Sequence, residues 1–349
     1  MHSSYRAEDV TILLKNLTGA LPALDTAERE RRIQSGVHYS EMLPLEYRPT
    51  AQYLALYQEA LRVHCPQTAR AVAVLAQKIW RRKGQGVVLV SLARAGTPIG
   101  ILLKWYIRQV YGWDAPHYSI SIIRGRGIDH NAMHHILAHH AVESLLFVDG
   151  WIGKGAILGE LQNQALAYPG LDPTLAVLAD PARLTALHGT QEDFLIPSAC
   201  LNATVSGLFS RTICNAALLG PADFHGAVYF EELEPYDRSY EFLQRVAAAF
   251  PARPPSLPVE REAPGSTDME NIQRNFGIEN IHFIKPGIGE TTRVLLRRLP
   301  WKVLVRDLSD TRHIGHILRL CQEKQVELLE YPLQDYRACG LIQNLHADA

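Results

Sequence analysis

The stretch Leu145-Leu-Phe-Val-Asp-Gly-Trp-Ile-Gly-Lys-Gly-Ala-Ile157 decides the fold. An apolar run ends in an acid, three glycines and a lysine follow, and apolar positions resume at Ile157, Leu158 and Leu161. A continuous apolar run of this length reads as a buried strand of a parallel sheet, and the resumed spacing reads as a helix. Glycines let backbone N–H groups close on phosphate oxygens, the helix N-terminus adds positive potential, and Lys154 supplies a mobile cation. Gly153, Lys154, Gly155 and Ala156 therefore read as a phosphate-binding turn, with a purely structural strand-to-helix turn as the alternative. The spacing is neither Gly-x-x-x-x-Gly-Lys-Ser/Thr nor Gly-x-Gly-x-x-Gly, which argues against a Walker-type NTPase and a dinucleotide fold.

The same alternation extends outward in both directions. Val87 to Ser91 predicts a strand, Ala93-Arg-Ala-Gly96 a turn, and Thr97 to Tyr106 a helix. His117 to Ile123 and Leu175 to Ala179 predict two further strands. Strands alternating with helices predict an α/β fold with a mainly parallel sheet, in which ligands bind at the carboxyl ends of the strands. The first 80 residues read as helical, with an amphipathic run from Thr50 to Trp80 broken at Pro66. Prolines in Phe250 to Thr267 predict an extended linker, giving domains at 1–249 and 268–349. Between Asn280 and Ile342 the order reads strand, glycine turn, helix, strand, helix, strand, a second small α/β unit.

With 349 residues, 47% of them hydrophobic and 20% charged, the chain can bury a core and is not generally disordered. Its 35 Lys+Arg against 36 Asp+Glu exclude a protein-wide attraction to nucleic acid. No run approaches the roughly 18 apolar residues of a membrane span, and the N-terminus lacks a secretory h-region, so a cytoplasmic location is expected. Cys65, Cys200, Cys214, Cys321 and Cys339 have no Cys-x-x-Cys spacing and read as thiols. His130, His134, His135, His139 and His140 form a cluster in which His135 and His139 share a helix face, read as a solvated surface with a metal site as the alternative.

Two further stretches concentrate chemistry. Ile123-Arg-Gly-Arg-Gly-Ile-Asp129 sets Arg124, Arg126 and Asp129 on a glycine-hinged loop, suited to an anionic substrate and a hydroxyl or to solvent alone. Pro197 to Thr212 gathers Cys200, Asn202, Thr204, Ser206 and Arg211 where apolar core would be expected, as ligand-lining segments do. A cysteine nucleophile needs a base and an orienting group brought together in space. For Cys200 the candidates are His225, His188 or His38 as base and Asn202 or Asp223 as orienter.

The Leu145–Ile157 segment resembles the phosphoribosyl-diphosphate loop of type I phosphoribosyltransferases. Ser91 to Gly96 resembles that family's pyrophosphate loop, and Asp193 to Pro197 its later strand beside the nucleobase. Asp149-Gly150 stands where the family has paired acids, and the Thr-rich phosphate loop is replaced by Gly153-Lys154-Gly155-Ala156. The resemblance implies a ribose-phosphate or nucleotide-like ligand. It further implies Asp149 on a ribose hydroxyl or on Mg²⁺, and Arg94, Ala95, Gly96, Arg124, Arg126 and Asp129 around pyrophosphate. His38, Asn202, Thr204, Ser206 and Arg211 would line the substrate pocket.

With Ser35 to Met42 and the Cys200 segment included, the first 240 or so residues resemble a bacterial phosphoribosyltransferase-like family encoded near tellurite-resistance genes, which also carries the label cysteine protease StiP. The C-terminal unit resembles the RNA-binding domain of Pelota and of kink-turn-binding ribosomal proteins, whose loop reads Gly-x-Asn-Glu-x-Thr-Lys. Gly287, Glu290 and Thr292 match it, Arg293 keeps the lysine's charge, and Gly289 replaces the asparagine. That likeness implies RNA contact through Gly287, Gly289, Glu290, Arg293 and Arg297. The leading expectation is thus a phosphoribosyltransferase-like enzyme coupled to an RNA-binding module, in a stress or tellurite response. The alternatives are a thiol hydrolase using Cys200 with His225, and a non-catalytic nucleotide sensor that binds RNA.

Overall fold

The computed structural model describes residues 1–257 and 267–343, so the middle of the expected linker, 258–266, lies outside the described residues. Six strands form the main sheet: β1 (Thr11–Ile12), β2 (Val88–Leu92), β3 (His117–Ile120), β4 (Leu145–Trp151), β5 (Leu175–Ala179) and β6 (His188–Thr190). Every pairing in it is parallel and the spatial order is β1-β3-β2-β4-β5-β6. In register, Ser91 faces Val148 and Asp149 faces Val177. The strand order reverses between β2 and β4, which opens a crevice at their carboxyl ends.

Helices cover both faces because the central strands are apolar on each. β2 and β5 are buried along their whole length. Helix α2 (Ala51–Lys83) starts at Thr50, whose Oγ1 accepts the Tyr53 N–H at 3.3 Å, and buries Tyr57, Leu61, Val72, Leu75 and Ile79. The break expected at Pro66 does not occur. The helix runs through it, since packing of the apolar face outweighs one missing backbone hydrogen bond. Nor are the first 50 residues helical, apart from α1 (Thr26–Gln34) and a 3-10 turn at Tyr39–Glu41; the rest is short strands and loop.

Helix α3 (Gly96–Tyr111) packs tightly on β4, because a Cβ on Gly96 would sit 2.4 Å from the Val148 carbonyl oxygen. Helices α4 (His130–Leu137), α5 (Ala156–Ala165) and α6 (Ser239–Ala248) complete the first unit. His130 and His140 of the histidine cluster are held by the hydroxyls of Tyr168 and Tyr118, at 2.6 and 2.9 Å.

The second unit has helix α7 (Asp268–Phe276), β7 (Ile284–Pro286), α8 (Ile288–Arg297), β8 (Pro300–Val305), α9 (Thr311–Lys324), β9 (Glu327–Glu330) and β10 (Ala338–Ile342). Its sheet order is β7-β10-β8-β9, with β10 antiparallel to both neighbours and β8 parallel to β9. Sequence reading missed α7 and the central strand β10. Among the described residues no helix is long and apolar enough to cross a membrane.

Candidate functional site

The two units meet over the crevice between β2 and β4. Asp193, expected in a strand beside a nucleobase, instead caps α8: its carboxylate accepts the Ile288 N–H at 2.9 Å and the Arg337 N–H at 2.8 Å. A carboxylate at a helix N-terminus satisfies orphan N–H groups and meets the positive end of the dipole. Arg298, at the other end of α8, makes two 2.9 Å hydrogen bonds to the fully buried Glu30 of α1. Helix α8 also rests on the 3-10 turn Pro197–Cys200.

These contacts enclose a cavity of about 720 Å³. The first unit supplies Arg29, Glu46, Arg48, Arg94, Asp149, Cys200, Asn202, Thr204 and Arg211; the second supplies Lys285, Glu290, Arg293, Arg297 and Arg298. Eight of the lining residues are basic and three acidic, so the cavity suits an anion. Arg94 donates to the Phe209 carbonyl at 2.9 Å and to Asn202 Oδ1 at 2.7 Å, with Glu46 at 3.5 Å. Arg211 lies over the Tyr39 ring at 4.9 Å, and burial, with Arg29 beside it, brings its guanidinium down to about 9. Burial and Arg293 bring Arg297 to about 9 as well.

Cys200 is the cysteine on this wall. Its thiol is pushed up to about 12 by burial, which Arg297 opposes, so it is protonated at neutral pH. Burial raises Asp149 to about 6, against the Gly150 N–H that Asp149 Oδ1 accepts at 2.7 Å. Arg293 lies 4.3 Å over the Trp151 ring and 3.5 Å from Glu290, and its charge favours the Asp149 carboxylate. Among the described residues no group of three or more His, Cys, Asp or Glu is placed to hold a metal ion.

Several expected site residues lie elsewhere. The Gly153–Ala156 turn is not a phosphate cradle, because the second unit covers it. Lys154 Nζ donates to the carbonyls of Ile281 and Ile284, and the Gly153 carbonyl accepts the Tyr336 hydroxyl at 2.7 Å. Gly155 is the N-cap of α5 with φ +81°, and Ala156 is the first residue of that helix. Gly96 is a packing residue under α3, whereas Arg94 and Ala95 do line the cavity.

Arg124 and Arg126 are not in the cavity lining, although the Arg124 guanidinium lies 5.6 Å over the ring of Tyr39, which is. Arg126 pairs with Glu41, and the Arg124 carbonyl meets His38 Nε2 at 3.1 Å. Buried Asp129 caps α4 through the Ala132 N–H at 3.0 Å and accepts the His225 N–H at 2.6 Å. Ser206 is buried and donates to the Asn202 carbonyl at 2.8 Å. None of the proposed bases lines the cavity. His225 shares Nδ1 with Ser121 at 2.8 Å, His188 lies beside Thr185 and Lys78, and His38 beside Ser40. Asp223 is paired with Lys15 at 2.7 Å.

The residues chosen for RNA contact face inward in this arrangement. Gly287 (φ +94°) lies against Asp193 and Gly289 against the Trp151 ring, while Glu290, Arg293 and Arg297 line the cavity. Sequence reading missed Arg29, Glu30, Glu46, Lys285 and Arg298. The run Glu28-Arg-Glu-Arg-Arg32 looks like a solvated helix face, and nothing in its spacing signals that Arg29 and Glu30 are buried.

Fold and site together define an α/β protein with a parallel sheet, a small second α/β unit, and between them a cation-lined cavity with a thiol in its wall. Residues 3–247 match the family described as tellurite-like stress resistance cysteine protease StiP, and residues 263–344 match the PELOTA RNA binding domain. A curated relative, "Cysteine protease StiP" of Acinetobacter baylyi, is 39% identical over 98% of this chain and 94% of its own length. The chain belongs to the StiP family. Two solved structures of a hypoxanthine-guanine phosphoribosyltransferase from Bacillus anthracis align at TM-scores of 0.28 and 0.27, 16% identity, 36% of this chain and 76% and 77% of theirs. The leading expectation of a phosphoribosyltransferase-like enzyme is therefore corrected: the family and the curated relative carry the cysteine protease name, which agrees with the thiol-hydrolase alternative.

Proposed function

We propose that this chain is a cysteine hydrolase of peptide bonds and that Cys200 is its nucleophile. The observation that carries the reading is placement: of the five cysteines, Cys200 is the one in the wall of the interdomain cavity. Cys65, Cys321 and Cys339 are buried elsewhere, Cys65 donating to the Arg245 carbonyl at 3.1 Å. The structure then corresponds to a resting thiol. On substrate binding the thiol proton passes through cavity water to Asp149, whose value near 6 suits an acid–base group at neutral pH. The sulfur attacks the carbonyl carbon, and Asn202 and Arg297 are the donors at hand for the oxyanion. Collapse breaks the C–N bond, Asp149 returns the proton to the amine, and water hydrolyses the thioester. Cys200→Ala is expected to abolish peptide cleavage, and Asp149→Asn to remove the acidic limb of the pH profile. Full cleavage by Cys200→Ala overturns the assignment.

One observation favours a second reading. Cys214 is the half-exposed cysteine, and the mutual 2.8 Å hydrogen bonds of Ile213 and Gly226 set it one step along an antiparallel pairing from His225. Loss of cleavage in Cys214→Ala and His225→Ala with retention in Cys200→Ala would transfer the nucleophile to that pair.

The second unit matches an RNA-binding domain, and we propose that it contacts RNA. Gel-shift titration of the full chain tests this; unchanged mobility with structured RNA at micromolar protein would refute it.

A further inference from the structure

Among the described residues five cations of the cavity have no carboxylate within 4 Å: Arg29, Arg48, Arg211, Lys285 and Arg297. Of the carboxylates there, Glu46 is taken by Arg94 and Glu290 by Arg293, Glu30 behind the wall is taken by Arg298, and Asp149 accepts the Gly150 N–H. Of the five cations, Arg297 donates to the Leu201 carbonyl, and Arg29, Arg211 and Lys285 form one group. These three lie close enough to act on one another, since beside burial Arg29 disfavours charge on Arg211, and Arg211 on Lys285, where Glu290 acts the opposite way and more strongly. Arg29 is only 7% exposed and its Nε has no hydrogen-bond partner. Thr204, 2% exposed on the same cavity, has an unpartnered Oγ1.

Buried like charges and orphaned donors are costly unless a ligand completes them. Arginine forks match carboxylates in bidentate geometry, and a cavity of about 720 Å³ is roomy enough for a short peptide. We propose that Arg29, Arg211, Lys285 and Thr204 form a recognition site for the carboxylates of an acidic peptide segment, presented to Cys200 in the same cavity. The proposal rests on the peptidase reading above for the identity of the ligand.

The test uses the full chain carrying Cys200→Ala, and calorimetric binding of a glutamate-rich hexapeptide, its glutamine analogue and inorganic tripolyphosphate. The glutamate peptide is expected to bind at least roughly tenfold tighter than the glutamine analogue, and Arg211→Gln to remove that preference. Lys285→Gln is a second variant, should Arg211→Gln fail to fold. Equal binding of the two peptides overturns the proposal. So does tripolyphosphate binding that depends on Arg211 when the glutamate peptide does not bind. If the glutamate peptide binds with the expected arginine dependence yet the unsubstituted chain never cleaves it, the recognition site stands and the peptidase reading falls.

Discussion

Arg298 and Glu30 offer the sharpest test of how the two units are held together. Both Arg298 nitrogens in the pair reach Glu30 at 2.9 Å; the Glu30 side chain is 0% exposed and that of Arg298 is 23% exposed. In Arg298→Met the carboxylate stays buried with only Gln34 Nε2 at 3.4 Å and the more distant field of Arg29. Breaking a buried pair on one side costs about 3–5 kcal/mol. Water reaching the Arg298 side and the residual Arg29 field place this case lower, at about 2–3 kcal/mol. Amide exchange that follows the open population would then accelerate about 30- to 160-fold across α8. Hydrogen-exchange mass spectrometry on the peptide covering Ile288–Arg297 measures it. The double variant Glu30→Met/Arg298→Met removes both charges and is expected to return most of the protection. Exchange within threefold of the unsubstituted chain in Arg298→Met alone would refute the reasoning.

Acidification should destabilise the chain through His117, which burial takes down to about 4 and which meets the Asp9 carbonyl at 2.8 Å and Ser91 Oγ at 2.7 Å. A histidine depressed on folding contributes stability above its unfolded value near 6.5 that is lost as pH falls toward 4, here about 3 kcal/mol. In His117→Gln, urea titrations between pH 7 and 4.5 should show correspondingly less loss; an identical loss would sink the argument. Gly96→Ala should destabilise by about 1–3 kcal/mol, because its Cβ would meet backbone at 2.4 Å. An unchanged urea midpoint and slope would show that α3 can shift freely. Asp193→Ala should loosen α8 by about 2 kcal/mol through the lost cap, read by the same exchange peptide, where unchanged protection would contradict it.

The parallel sheet was legible because its signals are local. Leu145–Trp151 and Leu175–Ala179 are apolar runs long enough to be buried on both faces, and each is bounded by turn residues. Arg94, Asp149, Cys200, Asn202, Thr204 and Arg211, named from the sequence, all line the cavity; the last four stood out because chemistry-bearing side chains interrupt a stretch that core packing alone would make apolar. The phosphate turn was misread for the same reason that it was conspicuous. Glycines and a lysine before a helix suit an anion, and they equally suit close docking of another backbone, which is where Lys154 and Gly153 are engaged.

By itself the sequence determined the strand–helix alternation and the thiol segment, since hydrophobic periodicity and glycine or proline placement act over a few residues. Only the tertiary structure decided that α8 faces inward, that Glu30 meets Arg298 across 268 positions, and that Arg29, Arg211 and Lys285 converge on one cavity. Charge and burial are properties of neighbours in space. A lysine or arginine carries the same letter on a solvated face and in a dry wall, and the packing of one unit against the other makes the difference.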